Sequence, residues 1–88
     1  MAEETIHKEA EETIHKEERL TTRADVAAEL RRLADELESA GTISYGRAGR
    51  LAVPEQIERE FEIEREDRGS SVEYEVEIEL KWYAPKEQ

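Results

Sequence analysis

The chain contains no cysteine, so disulfides, thiolate chemistry and zinc–thiolate sites are excluded. No apolar run approaches the ~20 residues that a membrane-spanning helix needs. The opening Met-Ala-Glu-Glu lacks the basic and apolar regions of a secretory signal, and a cytoplasmic location is the expectation. No nucleophile motif such as Gly-x-Ser-x-Gly occurs. Lysine is scarce, with four against nine arginines, while 21 Glu and three Asp bring the net charge to −11. That balance argues against nucleic acid, whose phosphates must be neutralised by Lys and Arg. It argues equally against anionic membrane surfaces. A lysine-poor, acid-loaded surface suits a halophilic protein in molar internal salt, where the Debye length falls to ~3 Å and distant carboxylates cease to repel. With 88 residues there is room for one modest core.

What the chain does have is period. From Val72 to Trp82 apolar and charged residues alternate without a break, the pattern of a half-buried strand. One face carries Val72, Tyr74, Val76, Ile78, Leu80 and Trp82, and the other carries four glutamates and Lys81. An apolar face of this length needs a cover, and the rest of the chain is expected to supply it. At the N-terminus residues 3–9 and 11–17 are identical, Glu-Glu-Thr-Ile-His-Lys-Glu. The second copy is expected to be a strand running toward Leu20, which leaves the first as a redundant extension. A helix follows. Thr21 and Thr22 are N-cap candidates with Asp25 near capping-box spacing. Val26, Leu30, Leu33, Ala34 and Leu37 fall on one face, and Gly41 is a left-handed stop. A hairpin with the loop Arg47-Ala48-Gly49 comes next, matching Ile43 and Tyr45 to Leu51 and Val53, and Pro54 ends its second strand. Residues 57–66 alternate again with Ile57, Phe61 and Ile63 inward. The turn Asp67-Arg68-Gly69-Ser70 leads into the long strand.

These elements predict an α+β fold: an antiparallel sheet of four to five strands with one amphipathic helix packed across one face. Residues 1–11 read as an extension, 12–84 as one domain and 85–88 as a polar tail. Folding the last hairpin about its turn sets Phe61 by Val76 and Ile63 by Tyr74. The opposite face then sets Glu64 by Glu73, Glu62 by Glu75, Glu60 by Glu77 and Glu58 by Glu79. Like charges directly opposite are destabilising. A register shift of two leaves both faces unchanged.

The Thr-Arg-Ala-Asp helix start, the Leu-Arg-Arg-Leu-Ala-Asp-Glu-Leu-Glu run, the Leu-Ala-Val-Pro strand and the closing Val-Glu-Ile-Glu-Leu-Lys-Trp together resemble the amphi-Trp domain. The resemblance covers about residues 12–83. It implies a small acidic protein of the kind seen chiefly in haloarchaea, in keeping with the arginine bias. It brings no activity, substrate or catalytic residue, and it draws attention to Trp82.

Few residues invite chemistry. Trp82 closes the apolar face and serves either as a core-edge aromatic or as an anchor for a partner. Tyr83 has the opposite parity and falls on the acidic side. His7 and His15 would lie roughly 26 Å apart in a strand and about 12 Å apart in a helix. Neither spacing chelates, so no metal site is expected. Gly46-Arg47-Ala48-Gly49-Arg50 carries the Gly-x-x-Gly spacing of an RNA-clamping loop, but it joins strands rather than helices, and the surrounding charge opposes phosphate. The carboxylate pairs lie on a sheet face, not in a cleft that would raise a pKa by burial. Neither catalysis nor a cofactor is expected. The leading expectation is a non-enzymatic protein-interaction module or adaptor, with an unknown protein partner or a homodimer formed through a strand edge. Its candidate contacts are Trp82, Tyr83, Arg47, Arg50, Glu60, Glu62, Glu75 and Glu77. The alternative is a module that loosely binds cations on the glutamate face or a small anion at Arg47 and Arg50.

Overall fold

Thr22 stands extended before the helix, and its hydroxyl accepts the Asp25 amide at 3.1 Å while its carbonyl accepts the Val26 amide at 3.0 Å. The Thr21 hydroxyl donates in turn to the Asp25 carboxylate at 3.2 Å. The cap satisfies the Asp25 amide, one of the orphan donors of a helix start, and α1 runs Arg23–Ser39. It ends where the Ala40 and Gly41 amides reach back to Glu36 and Leu37, with Gly41 at φ +64°. The computed structural model describes residues 11–86, so the first repeat copy, His7 and the last two residues of the tail lie outside the described residues.

Two hairpins follow. β1 (Thr42–Tyr45) pairs antiparallel with β2 (Gly49–Ala52), and β3 (Glu58–Asp67) pairs antiparallel with β4 (Val72–Lys81). The chain is α+β as the periodicity predicts, but the four strands divide into two two-stranded sheets rather than one. Both registers differ by two from those expected. Ile43 faces Leu51 instead of Val53, and the loop is Gly46-Arg47-Ala48, with the left-handed residue Gly46 (φ +60°) at its start. Phe61 faces Ile78 and Ile63 faces Val76. A shift of two preserves parity, so the two faces of each hairpin are the expected ones. Gly49 is required for a different reason. The Tyr45 ring lies across it, and a Cβ there would collide with that ring.

The expected N-terminal strand is absent: residues 11–22 form no regular structure. The segment is held by a side chain instead of a ladder. The His15 ring tilts against the Tyr45 ring at 5.5 Å, and His15 Nε2 bonds Glu17 at 2.7 Å.

α1 rests on β1 through a polar latch. Glu36 accepts the Ser44 amide at 2.8 Å and the Ser44 hydroxyl at 2.7 Å, and Arg32 donates to the same carboxylate at 2.8 Å. Arg32 also reaches Glu29 at 3.2 Å. The second hairpin touches neither α1 nor the first hairpin. The break falls at Pro54. Val53 still donates to Gly41 at 2.8 Å, and then the chain leaves through a residue with no amide hydrogen. The expectation that α1 covers the long strand is therefore corrected. No described residue is fully buried, and the radius of gyration is 17.1 Å. A compact chain of this length would measure about 12 Å.

The Ser44 hydroxyl and amide, followed by Arg32, hold the Glu36 carboxyl below the ordinary carboxylate range. A depressed folded pKa contributes stability that is present above the unfolded value and lost as pH falls through the folded one. Glu36→Gln is expected to flatten the acid limb of a pH–stability curve below the ordinary carboxylate range. Thr22→Ala is expected to cost about 1 kcal/mol at all pH values. Denaturant unfolding followed by circular dichroism checks both.

Candidate interaction surface

The β3–β4 hairpin is ten residues long on each strand, and strict alternation gives it two unlike faces. On one face Phe61 opposes Ile78 and Ile63 opposes Val76. This apolar block is bracketed by Arg59 opposite Leu80 and by Arg65 opposite Tyr74. Phe61, Ile63, Tyr74, Val76 and Ile78 are each between 53% and 69% exposed. An isolated two-stranded hairpin is marginal in water and needs further strands or a helix against its apolar face. Nothing described in this chain covers it.

The other face is a double row of carboxylates. Glu60 opposes Glu79, Glu62 opposes Glu77, and Glu64 opposes Glu75. The rows are closed by cations at both ends. At the root Lys81 opposes Glu58. At the tip Arg68, in the turn, bonds Glu73 at 2.6 and 2.9 Å and Glu66 at 3.2 Å, bridging the fourth Glu–Glu pair and offsetting one of its two charges. The six central carboxylates have no such partner among the described residues. Glu62 is held above the ordinary range, first by the neighbouring Glu64, which bonds its protonated form and repels its charged form, and then by Glu60 and Glu77.

Trp82 follows β4 directly and is half-buried. With Pro54, Gln56, Ile57, Lys81 and the exposed Tyr83 it lines a recess at the root of the hairpin, where the linker enters β3. Arg47 stands in the first hairpin's turn, and Arg50 lies on β2 opposite Ser44, both exposed. The candidate contacts thus fall into three groups. Glu60, Glu62, Glu75 and Glu77 share the acidic face, Trp82 and Tyr83 share the root, and the two arginines belong to the other hairpin. Among the described residues no group of three or more His, Asp or Glu is placed to hold a metal ion, and no helix is long and apolar enough to cross a membrane. Sequence reasoning missed the Arg32–Glu36–Ser44 latch and the His15–Tyr45 contact. Arg32 and Glu36 stand four apart, a spacing that signals a pair on one helix face, whereas Ser44 carries no periodic signal.

The elements thus define a small acidic α+β protein built around an amphipathic hairpin that ends in tryptophan. The chain matches the Amphi-Trp domain over residues 8–88 and belongs to that family. No curated protein and no solved structure matches it.

A raised folded pKa on a carboxyl means that the charged form is disfavoured by folding. The penalty is present above the raised value and fades as pH falls toward the unfolded one. Glu62→Gln is therefore expected to raise the melting temperature at neutral pH in low salt, and the gain should shrink in molar KCl as screening removes the repulsion. Thermal scans of parent and variant at two salt concentrations check this.

Proposed function

We propose that this protein is a non-enzymatic interaction module, adapted to high salt, whose contact surface is the apolar face of the β3–β4 hairpin. The observation that carries this reading is the exposure of Phe61, Ile63, Tyr74, Val76 and Ile78 together on one continuous face. Exposed apolar patches of that kind mark association sites. The glutamate rows on the reverse face keep the free hairpin soluble and leave only one side for docking. Trp82 and Tyr83, at the root, extend the contact surface toward the linker, and Trp82 is the sole tryptophan available as an anchor. Arg47 and Arg50 lie on a separate hairpin and play no part in this surface. The cytoplasm of a salt-accumulating cell fits the composition.

A second reading has one observation in its favour. Glu62 sits among Glu64, Glu60 and Glu77 with its charged form disfavoured, and a loosely bound cation would relieve that.

The experiment is a comparison of two baits in lysate and buffer at molar KCl. One is the parent, and the other carries Ile63→Glu with Val76→Glu. The hairpin is separate from α1, so the variant should keep the helical circular-dichroism signal. The parent is expected to hold a stoichiometric polypeptide, either a second copy or another chain, that the variant releases. A parent that is monomeric and retains nothing the variant lacks would remove the reading.

A further inference from the structure

The chain exposes 8971 Å² of surface, whereas a compact protein of 10.2 kDa exposes roughly 5,300 Å². Part of the excess of roughly 3,700 Å² lies on the extended residues 11–22, but a stable protein–protein interface needs only about 800 Å² from each partner. Two apolar surfaces contribute to that exposure. One is the hairpin face. The other is the stripe of α1 that carries Val26 and Leu30, which are 45% and 50% exposed. The hairpin face is long enough to lie over the helix, since ten-residue strands reach about 33 Å and the 17-residue helix about 25 Å.

The two surfaces also match in charge. The hairpin's apolar block is bracketed by Arg59 and Arg65, and neither makes an ion pair among the described residues. Val26 and Leu30 lie in a shallow recess rimmed by Glu17, Glu18, Asp25 and Glu29 against the single Arg19. A cation-flanked apolar face and an acid-rimmed apolar recess are complementary, yet within one chain they do not meet.

We infer that the occupant of the hairpin face is a second copy of this chain, with each copy laying its β3–β4 hairpin over the α1 stripe of the other. This rests on the reading of that face as the contact surface and names its partner. The exchange is reciprocal, so it closes as a two-fold dimer with two equivalent contacts and no open end. A face-to-face stack of two hairpins would bury as much apolar surface. It would also bring the Arg59 and Arg65 pairs of both copies into one interface, where the like charges oppose it. The Val53–Ile57 linker, with Pro54 in it and Trp82 beside it at the root, carries the hairpin away from its own helix.

The absence of cysteine makes the test specific. Light scattering of the parent in molar KCl is expected to give twice 10.2 kDa. Chains carrying Leu30→Cys and chains carrying Val76→Cys, separately tagged, are then mixed and oxidised. A disulfide between the two kinds of chain, with little within either kind, supports reciprocal exchange. Cross-linking confined to Val76→Cys chains indicates stacked hairpins and overturns it. A chain carrying both substitutions that closes its own disulfide at monomer mass shows the hairpin folding onto its own helix and overturns it too. If the parent is monomeric but a different protein is retained by it and released by Ile63→Glu with Val76→Glu, self-pairing fails while the interaction-module reading stands.

Discussion

Everything in this molecule depends on one constraint: the β3–β4 hairpin cannot satisfy both of its faces alone. Alternation places Phe61, Ile63, Val76 and Ile78 on one side and four directly opposed glutamate pairs on the other. The apolar side needs to leave water, and the acidic side needs to stay in it with its charges screened. A single layer meets the second need and fails the first. The cations at the ends of the rows, Arg68 at the tip and Lys81 at the root, show how the repulsion is contained. Arg68 bridges the Glu66–Glu73 pair beside the turn, and Lys81 takes the place of a fifth opposing glutamate beside the linker. The centre has no cation among the described residues, and Glu62 there is held above the ordinary carboxylate range, first by Glu64.

The helix half of the chain is built differently. α1 is capped at both ends and latched to β1 by Glu36, which takes two bonds from Ser44 and one from Arg32. That latch is polar and partly exposed, so it fixes geometry more than it supplies stability. The apolar stripe of α1 is only partly used: Leu33 and Leu37 are half-buried while Val26 and Leu30 stand open. Both halves therefore carry the same deficit, an apolar face without a cover. The hairpin's is the larger, with Phe61, Ile63, Tyr74, Val76 and Ile78 exposed against Val26 and Leu30, and the two surfaces are complementary in charge.

Local rules made much of this legible in the sequence. Thr22 with Asp25 marked the helix start and Gly41 its end. Period two identified both long strands and assigned every residue of β3 and β4 to its correct face. Register was not legible, because parity determines the face but not the partner, and the loops offered more than one solution. A loop ending in Gly49 is the expected one, but the left-handed residue is Gly46, and Gly49 lies within β2 under the Tyr45 ring. The repeat at 11–17 has strand-like residues but no ladder. β-propensity depends on packing context, and here the His15 ring packs against Tyr45 while the segment joins neither sheet. The division into two sheets was beyond reach for a related reason. An amphipathic strand declares that it needs a cover, but its pattern does not say which surface supplies it, or from which chain.

Salt then acts on two levels. Screening relieves the glutamate rows within a hairpin, a repulsion over a few ångströms that only concentrated salt reaches. It also relieves the longer-range repulsion between any two chains of net charge −11. Apolar burial brings such chains together, while the charge on their outer faces holds them apart. Screening therefore eases both the hairpin's internal repulsion and the approach of any other acidic chain, while apolar burial remains the drive for either. On this reading the acidic face is not a binding site in itself. It sets the condition under which the opposite face can be used, and that is why the two faces occur on one strand pair.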